Sequence, residues 1–268
     1  MPDLTLLHLT DIHAADPSGP TWLGQDAGAN LGRVVDTVKE MTIDVAAVLV
    51  SGDLVNEPSE ANYRAFNETA ESLRSLGAPV YLALGNHDDR AMFRQYVLGV
   101  DGGSPAAPYY YSEQIGGLRL IVLDTGGGNG GTIGVDDEQL DWLERELAEP
   151  APLGNLVVMH HPPLPTAVPA LNARLDNVAR LRSVLMDRQV RGILCGHVHF
   201  TNAGCFAGAV CATAPATVSL MDPSTQDGAR HLAGSGLSLV HLQEGELIIN
   251  PLYLPGPQTE LAYNRHTD

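Results

Sequence analysis

Pro79-Val80-Tyr81-Leu82-Ala83-Leu84-Gly85-Asn86-His87-Asp88 is an apolar run that stops on a glycine and then delivers three polar side chains in a row. The run 79–84 has the length of one buried β-strand, and the glycine is the turn residue that ends it. The same pattern recurs on both sides. Residues 4–10 lead into Asp11-Ile12-His13, and 45–50 into Gly52-Asp53. Residues 155–160 lead into His160-His161-Pro162-Pro163, 190–195 lead into Gly196-His197-Val198-His199, and 118–123 form a sixth run. Amphipathic stretches fill the gaps. Leu31, Val34, Val35 and Val38 fall at helical spacing, as do Tyr63, Phe66, Ala70 and Leu73; Leu140, Leu143 and Leu147; and Val178, Leu181 and Leu185. Strand and helix in alternation predict an α/β fold with a largely parallel sheet covered by helices.

After about residue 205 the texture changes. Short runs at 209–214, 217–220, 237–242 and 246–249 predict consecutive strands that form a second sheet. Residues 99–108, 126–134 and 222–236 predict surface loops. With no linker, repeat or low-complexity tract, residues 1–268 are expected to form one domain. Residues 205–255 then supply C-terminal strands and a loop suited to a lid or a subunit contact.

The chain has 268 residues, 44% hydrophobic and 18% charged, with 28 Gly and 18 Pro, which excludes fibrous and wholly disordered classes. Its longest apolar stretch, 45–50, is far short of the ~20 residues that span a bilayer. The N-terminus lacks the basic flank and long apolar run of a secretory signal, so a cytoplasmic protein is expected. Cys195, Cys205 and Cys211 are odd in number and without paired spacing, which fits a reducing compartment and no disulfide framework. A formal charge of −17 argues against nucleic acid polymers and anionic membrane surfaces as partners. An anionic substrate must therefore be held by something local.

In open α/β sheets ligands bind beyond the carboxyl ends of the strands. Six of the ten histidines stand in the five motifs at those ends. Each motif alone is weak: Asp-x-His also suits a helix cap beside a surface histidine, and Gly-Asp suits a turn. Gly-His-x-His says more, because two imidazoles one residue apart can approach one centre. In combination, so many polar side chains are too costly to gather without partners. Asp11, His13, Asp53, Asn86, His160, His197 and His199 supply more donors than one zinc-like ion uses, and suit two ions bridged by a shared carboxylate. Imidazole and carboxylate without thiolate favour Mn, Fe, Co or Zn, as divalent or mixed-valence ions. Two such ions would outweigh two aspartates and a bridging hydroxide, creating a local cation trap for phosphate. Asn86 coordinates without adding negative charge.

The order Asp-x-His, Gly-Asp, Gly-Asn-His-Asp, His, Gly-His-x-His resembles the calcineurin-like metallophosphoesterases over roughly residues 3–215. More narrowly the chain is similar to the class III cyclic-nucleotide and glycerophosphodiester phosphodiesterases. The closer features are Met159-His160-His161-Pro162-Pro163, Tyr109-Tyr110-Tyr111 ahead of 118–124, and Gln139-Leu140-x-Trp142-Leu143. The resemblance implies a four-layer α/β/β/α sandwich and a dimetal site. Asp11, His13 and His199 would hold the first ion, Asn86, His160 and His197 the second, and Asp53 would bridge them. His87 would face the phosphate and leaving group as a catalytic residue, with Asp88 orienting its ring. Hydrolysis would use a metal-bridging hydroxide, which such ions make available near neutral pH.

One departure bears on substrate. Where the family's protein phosphatases carry Gly-Asp-x-x-Asp-Arg-Gly, this chain reads Gly52-Asp53-Leu54-Val55-Asn56-Glu57-Pro58. Without that arginine the grip on a phosphomonoester dianion is lost, which favours a small-molecule phosphodiester. A phosphomonoesterase acting on nucleotides or sugar phosphates is the competing expectation. A non-catalytic interaction module on the same fold is disfavoured because every ligand position is present. Resemblance also suggests a homodimer or higher homo-oligomer. His161, His8 and His241 are read as structural, His231 and Arg230 as part of the 222–236 loop, and His266 as part of a polar tail.

Overall fold

The computed structural model describes residues 3–100, 107–128, 131–166, 168, 171, 174–225 and 227–265. Most of the predicted 99–108 loop, part of the 126–134 loop and His266 lie outside the described residues. The chain begins β1 (Leu4–Leu9), α1 (Ala27–Glu40), β2 (Ala47–Ser51), α2 (Glu60–Arg74), β3 (Val80–Ala83) and α3 (Arg90–Tyr96). It continues β4 (Tyr111–Ile115), β5 (Leu118–Val122), α4 (Asp137–Ala148), β6 (Asn155–Val158), α5 (Val178–Leu185) and β7 (Val190–Cys195). It closes with β8 (Ala203–Phe206), β9 (Ala209–Thr213), β10 (Leu220–Asp222), β11 (Gly228–Gln243) and β12 (Glu246–Arg265).

The helices begin where short polar side chains satisfy their free N–H groups. Asp26, Ser59, Asp89 and Asp136 each accept from backbone N–H groups in the first turn of α1, α2, α3 and α4. Alternation along the strands then separates the layers. Leu7, Leu9, Val48 and Val50 face the buried stripes of α1 and α2, including Leu31, Val34, Val35 and Phe66. Their neighbours Leu6, Ala47 and Leu49 face the other way and pack on Leu118, Leu120, Val122, Leu156, Val158 and Leu194 of a second sheet. The far side of that sheet, with Ile121, Val157, Ile193 and Cys195, carries α4 and α5 through Leu140, Leu143, Leu181 and Leu185. The layers are therefore helix, sheet, sheet, helix. At roughly 1.5–3 kcal/mol for each large aliphatic side chain removed from water, these three cores hold the layers together.

Both sheets are mixed. The first has the order β10-β11-β1-β2-β3, with β1, β2 and β3 parallel and β12 on β11. The second has the order β4-β5-β6-β7-β9-β8, parallel from β5 through β7 to β9. The expected separate C-terminal sheet does not form. β9 extends the second sheet beside β7, while β11 pairs antiparallel with β1 in the first. Turn residues in the sequence mark where strands end, whereas the partner is chosen by which sheet edge is open.

The predicted 222–236 loop is likewise corrected. It is a strand from Gly228 onward, bent by register shifts on both sides of Leu232, with Ala229 and His231 buried. Of the strand expected over 217–220 only Leu220 is paired; Thr217 and Val218 instead donate to the carbonyls of Thr10 and Asp11 at 3.0 and 3.2 Å. No helix among the described residues is long and apolar enough to cross a membrane.

Candidate metal centre

Each predicted ligand stands two to four residues beyond a strand end: Asp11 and His13 after β1, Asp53 after β2, Asn86 after β3, His160 after β6, His197 and His199 after β7. These strands run parallel within their sheets, so their carboxyl ends gather at one rim. The chain turns sharply there. Asp11, His13, Asp53, His197 and His199 have φ of 52, 49, 51, 74 and 58°, five of the ten non-glycine residues in the left-handed region among the described residues. That conformation costs about 1–2 kcal/mol per residue. It is held by bonds between loops: Asp11 N to Gly52 O at 3.0 Å, His13 N to Asp53 O at 3.0 Å, Gly196 N to His160 O at 2.9 Å.

Two glycines are demanded by close approach. A Cβ at Gly196 would overlap Thr10 Oγ1 and stand 2.8 Å from Asp11 Oδ2, and one at Gly85 would overlap Asp53. The Gly in Gly-Asn-His and Gly-His-x-His therefore leaves room for a carboxylate from another strand.

Asp53 Oδ2 lies 3.3 Å from His160 Nε2 and 3.6 Å from His13 Nε2, between two groups of donors. On one side Asp11 Oδ1 is 3.3 Å from His199 Nε2 and 3.8 Å from His13 Nε2. On the other, His160 Nε2 is 3.1 Å from Asn86 Oδ1 and 3.3 Å from His197 Nδ1. All seven predicted ligands thus converge. The remaining carboxylate oxygens are tied back: Asp11 Oδ2 accepts from Thr10 Oγ1 at 2.6 Å and His197 N at 2.9 Å, and Asp53 Oδ1 from His87 N at 2.8 Å. His160 donates from Nδ1 to Ser51 O at 2.8 Å, which leaves Nε2 for the centre.

Burial alone would raise both carboxylates, yet the facing imidazoles hold Asp11 and Asp53 well below the usual range. Burial opposes a charged His160, but the Asp53 and Asp11 carboxylates outweigh it and lift the ring to about 9. His197 is pushed down to about 4 by burial and the His160 charge. Asp11 Oδ1, both ring nitrogens of His13 and His161 Nε2 are buried without a hydrogen-bond partner. Orphaned lone pairs among two carboxylates and several imidazoles fit divalent cations.

The surroundings were less legible. His87 Nδ1 is 2.6 Å from Asn56 O, so this carbonyl, and not Asp88, orients the ring. Asp88 is buried and accepts from the backbone N–H groups of Gly85 at 2.8 Å and Leu54 at 3.2 Å. It clamps the loops bearing Asn86 and Asp53 together, which corrects the expected ring contact. His161 is fully buried, bonds Thr125 Oγ1 through Nδ1 at 2.8 Å, and brings a nitrogen into the group of His160 and His197. Trp22 has no place among the sequence expectations. It stacks on His13 with centroids 4.1 Å apart and meets His87 edge-on at 5.5 Å. The sequence carried one signal for it, a single large aromatic in the Pro-, Gly- and Asp-rich stretch 16–26. His8 and His241 are sheet residues bonded to Ser51 Oγ and Thr5 Oγ1. A cavity of about 590 Å³ adjoins the centre, lined by Asp88, Arg90, Asp124 and Gly126 among others.

Residues 4–200 match the family model described as calcineurin-like phosphoesterase. The chain belongs to that family. A cAMP/cGMP dual specificity phosphodiesterase of Mycobacterium tuberculosis is 34% identical over 96% of this phosphoesterase and 82% of its own length. A glycerophosphodiester phosphodiesterase of Enterobacter lignolyticus is 30% identical over 91% of this chain and 88% of its own. A 3',5'-cyclic adenosine monophosphate phosphodiesterase of Escherichia coli is 31% identical over 72% and 69%. Among solved structures, a dimetal phosphatase from Danio rerio superposes with a TM-score of 0.62 at 17% identity, covering 94% of this chain and 98% of that one. The shared fold is thus the α/β sandwich seen here.

Proposed function

We propose that this phosphoesterase hydrolyses phosphodiesters, either cyclic nucleotides or small glycerophosphodiesters, at a two-cation centre of Mn, Fe, Co or Zn. The observation that carries the reading is Asp53 Oδ2, placed 3.3 Å from His160 and 3.6 Å from His13, where one carboxylate oxygen serves two donor groups. Asp11, His13 and His199 would hold one cation, Asn86, His160 and His197 the other, and Asp53 would be shared. The ions supply Lewis acidity toward the phosphoryl group and make water reactive near neutral pH.

This chain's residues orient the reaction. Asn86, His87 and His197 are the half-buried members, so the substrate approaches from their side. With Nδ1–H held by Asn56 O, His87 keeps Nε2 free to carry a proton to the departing alkoxide. Trp22 covers His13 and limits water at the opposite face. The diester preference rests on Glu57, which stands where an arginine would grip a dianion, next to Asn56, whose amide donates to Pro20 O at 3.1 Å.

The test is turnover of metal-stripped enzyme reloaded with Mn, on bis(p-nitrophenyl) phosphate and on p-nitrophenyl phosphate. Diester turnover exceeding monoester turnover is expected. The reverse ratio would establish the phosphomonoesterase reading, and no turnover with Mn, Co, Fe or Zn would overturn both.

A further inference from the structure

Ser219 lies at the meeting point of three ring nitrogens. Its Oγ is 3.1 Å from Trp22 Nε1, 3.3 Å from His199 Nδ1 and 3.4 Å from His231 Nδ1. The hydroxyl is fully buried, as His199 and His231 nearly are, at 0, 3 and 6% exposure, so no solvent substitutes for these contacts. Its segment is stitched to both ligand loops. Val218 N donates to Asp11 O at 3.2 Å, and Met221 N donates to His199 O at 3.0 Å.

Counting hydrogens leaves one arrangement. A hydroxyl offers one hydrogen and two lone pairs, and an indole N–H can only donate. Trp22 takes the first lone pair. His199 Nε2 faces Asp11 Oδ1 at 3.3 Å, and it presents a lone pair to a cation only if the ring hydrogen sits on Nδ1. That hydrogen takes the second lone pair. The hydroxyl hydrogen is left for His231 Nδ1, whose own hydrogen then lies on Nε2.

We propose that Ser219 is a positioning residue of the metal centre: it sets the tautomer of His199 and fixes Trp22 over His13, with His231 ending the hydrogen-bond chain. This rests on the reading of Asp11, His13 and His199 as cation ligands. Partners of this kind are worth about 10–100-fold in metal affinity. A merely structural serine would alter folding stability and leave the two cation affinities in their wild-type ratio.

The test is Mn titration of metal-stripped wild type and Ser219→Ala by calorimetry, with metal content measured after dialysis. Wild type is expected to bind two ions. In the variant one affinity falls about 10–100-fold while the other holds. Wild-type affinities at both sites would overturn the proposal. Nitrogen-15 spectra of the Zn-loaded wild type provide a second readout that does not depend on the variant folding: His199 hydrogen on Nδ1 and His231 hydrogen on Nε2. A His231 hydrogen on Nδ1 would also overturn it. Wild-type protein that takes up neither Mn nor Zn would overturn the metal reading underneath, a result distinct from either of these.

Discussion

The two halves of the centre are built differently. Asp11, His13 and His199 are at most 3% exposed, roofed by Trp22 and backed by Ser219. Asn86 and His197 are half-buried, and only His160 of their group is sealed. One half is enclosed by its own polar partners, the other opens on the face where His87 waits. Enclosure favours tight retention of a cation, while openness leaves room for a substrate oxygen.

The largest expected effect comes from removing what the halves share. Asp53→Asn withdraws the carboxylate charge placed between His13 and His160, so metal content should fall below two per chain and turnover to background. Retention of two ions would show that the halves bind independently. Next is His87→Ala, at a half-buried ring that packs on His13 and Trp22 with centroids 4.7 and 5.5 Å apart but is not one of the seven predicted ligands. Metal content should stay at two while the rate drops about 10²–10⁴-fold. The loss should be larger for alkyl than for nitrophenyl leaving groups, because the latter need no proton; an equal loss for both would remove His87 from that role.

Protons compete with cations mainly through His160, lifted to about 9. The sign follows: in the metal-free protein the ring is protonated below about 9 and has no lone pair to give. Calorimetric Mn affinity should therefore rise with pH toward 9 and fall as pH drops through neutrality, with protons released on binding. An affinity flat over that range would break the assignment. The smallest effect tests the enclosed half. Trp22→Phe keeps a ring over His13 and loses the N–H to Ser219 Oγ, costing about 0.5–1.5 kcal/mol, up to about tenfold in affinity of the enclosed cation.

Much of this was readable in the chain. Apolar runs followed by Asp, Asn or His placed six strands and the seven polar side chains that converge at their ends, because strand length, end residues and polar cost are local properties. Asp88, Asn56, Trp22 and Ser219 were not readable in their roles. Asp88 follows His87 in sequence, which suggested a partner for its ring; in space its carboxylate is taken by N–H groups from Gly85 and Leu54. The turn residues of 222–236 suggest a loop for His231, although Ala229 and His231, buried on either side of the half-buried Arg230, belong to a strand bent by irregular register.

Hydrophobic period and donor chemistry thus determined, from sequence alone, an α/β chain whose strand ends bear side chains that could hold hard or borderline cations. Tertiary structure decided which sheet each C-terminal strand joined, which carbonyl turned His87, and which hydroxyl stood behind His199. The physical reason is range: a side chain's type and its place on a strand face are set by its neighbours in the chain. Hydrogen-bond partners separated by 31 to 197 residues, as in Asn56 with His87 and Trp22 with Ser219, exist only once the strands of the first sheet, β1, β2, β3 and β10, have assembled.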